Sequence, residues 1–147
     1  MTPEQIGLVE QTLSAIRPAF DGVAADFYRR LFAADPSAAA LFTTEPAIQR
    51  AKLTAELDAV MRSIRHHDAF LLRAGTLGRQ HQDYGVRPRH YATARAALLA
   101  ALAAELGERW TAQVADAWRA AYDLTTEAML AAGEAAPAVS VSRRPRR

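Results

Sequence analysis

The sequence predicts an all-α fold, on three observations. Apolar residues recur every three or four positions through most of the 147-residue chain. No stretch shows sustained strand alternation, and no hairpin signal such as Asn-Gly occurs. Proline and glycine stand at the edges of the periodic segments, where they start and stop helices. The length fits one domain, which at this size buries roughly 70% of its unfolded surface without a disulfide or metal staple.

The first helix starts at Thr2, a capping residue, with Pro3 at the first helical position and Gln5 placed to complete a capping box. Ile6, Val9, Leu13, Ile16 and Phe20 form its stripe, and Pro18 interrupts its end. A second helix carries Val23, Phe27, Tyr28, Leu31 and Phe32, and "ADPSAAALF" then makes a turn and a short helical piece ending at Phe42. In "TTEP", Thr44 is the expected cap of a third helix that aligns Gln49, Leu53, Leu57, Val60 and Ile64. After "RHHDAF" comes a short helix with Phe70, Ala74, Leu77 and His81 on one face, broken at "DYGVRP". There Gly85 suits a C-terminal cap and Pro88 a new start. Tyr91, Leu98, Leu102 and Leu106 define the next helix, which Gly107 stops. A last long helix, from about Thr111 to Ala132, turns Val114, Trp118, Ala121, Thr125 and Met129 inward. About seven helices of unequal length favour steep ridge-into-groove packing over a regular four-helix bundle, and such packing leaves room for a pocket.

Composition narrows the function. Eighteen Lys and Arg against 16 Asp and Glu give a net charge of +2, too mild to suggest nucleic acid as a partner. There is no cysteine, which excludes disulfides, thiolate metal sites and a cysteine nucleophile. The N-terminus leads directly into an amphipathic pattern, with neither a signal peptide nor a membrane span visible, so a cytoplasmic protein is expected. Residues 135–147, an Ala/Pro/Ser stretch ending in "RRPRR", read as a disordered basic tail; an anionic partner is the alternative.

Three polar residues break the inward apolar rule: Tyr28, Gln49 and His81. Taken singly, each has an ordinary explanation, as a packed aromatic, a solvated first-turn amide and a hydrogen-bonded core histidine. Taken together, they fit a metal cofactor held by one neutral imidazole, with hydrogen-bond donors facing a ligand that gains negative charge. Haem iron answers that description. A dedicated zinc site wants several ligands, and neither the surface pair His66-His67 nor His90 shows the i, i+4 spacing that assembles one.

The chain resembles the single-domain bacterial haemoglobins, which are similar to the globin domain of flavohaemoglobins. The resemblance is carried by "FYRRLF" (27–32), "LF" (41–42), "IQRAKL" (48–53), "HQDYGVRPRHY" (81–91) and "DAWRAAY" (116–122), in the family's order. It implies a globin fold over residues 1–134 enclosing haem b. It further implies His81 as the proximal iron ligand, Phe42 stacked on the haem, Leu53 over the distal face, and Tyr28 and Gln49 in contact with bound ligand. Lys52, the single lysine, comes three residues after Gln49 and is expected at the pocket mouth near a haem propionate, a plain surface lysine being the alternative. Tyr91 matches a tyrosine that joins a proximal network with a glutamate. Ungapped alignment puts Gly133 at that glutamate's position, with Glu134 one residue late and Glu127 almost two turns early.

The resemblance implies reversible binding of dioxygen, nitric oxide and carbon monoxide for delivery or storage. Nitric oxide dioxygenation is the enzymatic alternative. Because the sequence ends without flavin and nicotinamide domains, that activity is expected to need a separate reductase. A haem-free sensing or interaction module is a third reading, and a homodimer is admissible under each.

Overall fold

Helix boundaries follow the punctuation closely. In the computed structural model, which describes the backbone of residues 1–143 and side chains through residue 133, six α-helices are joined by short turns and three 3-10 segments. The helices are α1 (Pro3–Ile16), α2 (Phe20–Ala34), α3 (Pro46–Arg62), α4 (His67–Asp83), α5 (Pro88–Leu106) and α6 (Ala112–Arg143). α6 continues past its expected end near Ala132, so the backbone of the expected 135–147 tail is helical as far as Arg143, while its side chains and residues 144–147 lie outside the described residues.

Thr2 caps α1 as a full capping box, its Oγ1 accepting from the Gln5 N–H while the Gln5 side chain accepts from the Thr2 N–H. Pro18 falls in a 3-10 turn, Arg17–Ala19, that separates α1 from α2. The "ADPSAAALF" piece is likewise a 3-10 segment, Pro36–Leu41, entered through an Asp35 side chain that accepts from the Ser37 N–H. Gly85, at φ 94°, reverses the chain after α4, and Gly107, at φ 56°, ends α5.

Two further expectations are corrected. Thr44 does not cap α3; Glu45 does, its carboxylate accepting from the N–H groups of Ala47 and Ile48. Pro46 is the cause, because its fixed φ suits the first helical position and makes residue 45 the cap. The helix bearing His81 is also not short: α4 runs 17 residues and begins at His67, so the exposed His66-His67 pair marks its N-terminal end.

The long helix α6 forms the spine, packing against α4 on one side and α1 on another, while α2 lies against α5. Trp118, 1% exposed, is the largest fully buried side chain. Its indole N–H donates to Thr12 Oγ1 at 2.8 Å, so the α1–α6 contact buries a polar group without orphaning it. The α4–α6 contact is closer still. A Cβ at Gly78 would overlap the Met129 carbonyl, and one at Gly75 would stand 3.4 Å from the Ala132 Cβ. Only glycine at 78 lets the two backbones approach this far, and that approach fixes the level of α4 on α6 three residues before His81.

Candidate functional site

Where α2, α3, α4, α5 and α6 diverge, they enclose an apolar-walled cavity of about 300 Å³, within the range of small-molecule and cofactor sites. All seven residues singled out from the sequence line it: Tyr28, Phe42, Gln49, Lys52, Leu53, His81 and Tyr91. Helical spacing explains the convergence. Gln49 and Leu53 are four apart on α3, Lys52 lies beside them at the edge, and Leu77 and His81 are four apart on α4.

His81 is half-buried, and its Nδ1 lies 2.8 Å from the Leu77 carbonyl oxygen. A carbonyl only accepts, so Nδ1 must carry the proton. In the neutral ring, that places the free lone pair on Nε2. The Tyr91 ring lies 6.3 Å from the His81 ring at an interplanar angle of 26°. Tyr91 is tied in through its main chain, whose carbonyl accepts from the Tyr122 hydroxyl at 2.7 Å. Burial raises the phenol pKa of both Tyr91 and Tyr122, so both remain neutral hydrogen-bonding groups.

No carboxylate serves the imidazole among the residues described with side chains. Its acceptor is the neutral Leu77 carbonyl, and Glu127 is exposed on α6. Gly133 packs against α4, where a Cβ would meet Gln82 Oε1 at 3.2 Å. The hollow beside it is lined by Gly78, Gln82, Tyr91 and Met129. Glu134 lies outside the residues described with side chains.

Tyr28 packs within a cluster of rings, 5.2 Å from Phe42 and 5.8 Å from Phe32. Burial, with a smaller contribution from the negative charge of Glu56, pushes its phenol up to about 12, so it stays protonated. Its hydroxyl contacts the Gln49 main-chain carbonyl at 3.5 Å, a bond long enough to be weak. Lys52 is exposed at the rim, its Nζ 5.8 Å from the centre of the Tyr84 ring. His90 lies on the cavity wall but is already engaged, its Nδ1 accepting from the Arg87 N–H at 2.8 Å.

Three contributors escaped the sequence reading: the Leu77 carbonyl, Tyr122 and Glu56. Main-chain atoms carry no residue signal. Tyr122 closes the "DAWRAAY" motif and could have been flagged there. Glu56 follows Gln49 by seven residues, two helical turns, which places it on the same face.

Among the described residues, no three His, Cys, Asp or Glu side chains gather to hold a metal ion. The donor set suits a metal that brings its own equatorial ligands, because such a metal asks the protein for one imidazole and an apolar enclosure. The site therefore fits haem: one tautomer-fixed nitrogen, a cavity lined by Leu53, Leu57, Val60 and Leu98, and an aromatic wall at Phe42.

A helical chain that offers an apolar cavity an imidazole oriented by its own helix is the arrangement of a globin, and comparison with known proteins agrees. The globin family model matches residues 25–129. The chain belongs to the globin family. It is 30% identical over 133 residues to a flavohemoprotein of Deinococcus radiodurans, a match covering 88% of this chain and 33% of that protein. Against a flavohemoprotein of Bordetella pertussis it is 28% identical over 146 residues, covering 97% of this chain and 36% of the other. The chain thus spans about a third of the length of these relatives. An anaerobic nitrite reductase of Casuarina glauca, HBII, is 28% identical over 137 residues, covering 83% of this chain and 86% of that protein. Among solved structures, a hexacoordinated haem protein of an anhydrobiotic tardigrade superposes with a TM-score of 0.82 at 16% identity, covering 91% of this chain and 96% of the other. At that identity the likeness concerns the fold. Among the described residues, no helix is long and apolar enough to cross a membrane.

Proposed function

We propose that the chain holds haem b in this cavity through His81 and binds dioxygen and other diatomic gases reversibly. The observation that carries the reading is the His81–Leu77 contact, which leaves Nε2 as a fixed, neutral ligand inside an apolar enclosure. Haem bound there would supply an iron able to take up a diatomic gas. The remaining work belongs to the protein. Leu53, Leu57 and Phe42 exclude water, and Tyr28 and Gln49 offer an O–H and an amide N–H to a ligand that carries partial negative charge. Lys52 is placed to reach a carboxylate at the rim.

Reversible binding is favoured over nitric oxide dioxygenation by the partner of the imidazole. A carboxylate acceptor gives the ring anionic character and favours oxygen activation, whereas a neutral carbonyl does so far less.

Addition of haemin to the purified protein, followed by its visible spectrum, tests the proposal. An intense Soret band that persists through gel filtration is expected, and His81→Ala should lose it. A protein that stays colourless with haemin present would instead support the haem-free sensing module.

A further inference from the structure

Among the described residues, Glu56 is the one carboxylate on the cavity wall. We propose that it determines which ligands the cavity accepts, admitting neutral diatomic molecules and rejecting anions. The inference rests on the haem reading above.

On α3, Gln49, Leu53, Glu56 and Val60 follow one another at steps of four, three and four residues, so all four face the same interior. Glu56 is half-buried there and, among the described residues, makes no ion pair and no side-chain hydrogen bond. The neighbouring cations are committed elsewhere. Arg17 and Arg62 both pair with Asp58, and Arg50 pairs with Asp21. Lys52, four residues earlier on α3, lies over the Tyr84 ring at the rim. Among the described residues no arginine lines the cavity, and the titratable groups that line it from the other elements are phenols and imidazoles: Tyr28, His81, Tyr84, His90, Tyr91 and Tyr122. Lys52 is the one cation among the described lining residues, and it is exposed at the rim without an ion pair to Glu56, so the Glu56 charge acts on the interior without a direct partner; its field already opposes ionisation of the Tyr28 hydroxyl.

Two effects combine. Tyr28 is kept as a phenol, so a neutral ligand that accepts a hydrogen bond finds a donor. An anion finds the same donor but also meets a fixed negative charge through a medium that screens poorly.

The test uses the haem-loaded protein. Azide affinity of the ferric form and carbon monoxide affinity of the ferrous form are read from the visible spectrum in wild type, Glu56→Gln and Glu56→Asp. Glu56→Gln should tighten azide by about tenfold, as removal of one like charge from a poorly screened cavity wall does, and leave carbon monoxide within about twofold. Glu56→Asp, which keeps the charge, should stay near wild type for both. An unchanged azide affinity in Glu56→Gln, or equal shifts of azide and carbon monoxide, would overturn the assignment. Ultraviolet titration of the phenols needs no haem and keeps the two ideas separate. Glu56→Gln should lower the midpoint of the signal that Tyr28→Phe removes, and an unmoved midpoint would refute the Glu56 role whatever the fate of the haem reading.

Discussion

The Tyr28 ring packs edge-on against Phe27 and Phe42 while its hydroxyl lines the cavity, so one side chain serves both core and site. Among the described residues its one acceptor is the long contact to Gln49, so the O–H can turn to a ligand at little cost. Replacing Tyr28 with Phe keeps the ring and deletes the donor. Oxygen dissociation, followed by stopped-flow, should then accelerate by about tenfold, the equivalent of one hydrogen bond of about 1.4 kcal/mol. An unchanged rate would remove Tyr28 from ligand binding. At this scale the sequence was informative where a polar residue interrupted an apolar stripe, as at Tyr28, Gln49 and His81. It was silent where the partner was a carbonyl, and it hid Glu56 because a glutamate in a helix ordinarily faces solvent.

Helices were legible because their signals are local: the Thr2–Gln5 box, Pro88 at the start of α5 and Gly107 at its end act within one turn. The start of α4 was misread because "RHHDAF" lacks a side-chain cap; His66 occupies the capping position without a capping bond. The seam between α4 and α6 was not legible, since helix-to-helix approach depends on residues some fifty positions apart. Gly78 carries that seam, whereas a Cβ at Gly7 on α1 meets nothing within 4 Å. The same substitution should therefore have opposite signs. Gly7→Ala is expected to stabilise by up to about 1 kcal/mol, the helix-propensity difference. Gly78→Ala should destabilise by about 1–3 kcal/mol by overpacking and weaken haem retention by displacing α4. Urea denaturation of both variants checks the pair; equal effects would show that the seam tolerates a methyl group.

Across the whole molecule, an apolar enclosure shared by five helices places several phenols in surroundings that resist ionisation. Tyr28 moves from an ordinary 10.0 to about 12, and Tyr91 and Tyr122 move in the same direction. Above pH about 10 the unfolded chain releases these protons while the folded protein retains them, so folding stability falls as pH rises. Stability attributable to Tyr28 is fully present below pH 10.0 and is lost through about pH 12. Denaturant midpoints measured across the alkaline range should decline more gently in Tyr28→Phe than in wild type; parallel curves would mean that Tyr28 titrates alike in both states. Fold class was readable because periodicity spans the chain. The enclosure was readable only in outline, because its size depends on how steeply the helices cross.

The acceptor for His81 Nδ1 belongs to the peptide backbone of its own helix. Point substitution can change a side chain but cannot delete a main-chain oxygen. Any variant that keeps this turn helical inherits the same ring orientation, so mutation elsewhere in the cavity can retune what binds without altering which nitrogen is presented to it.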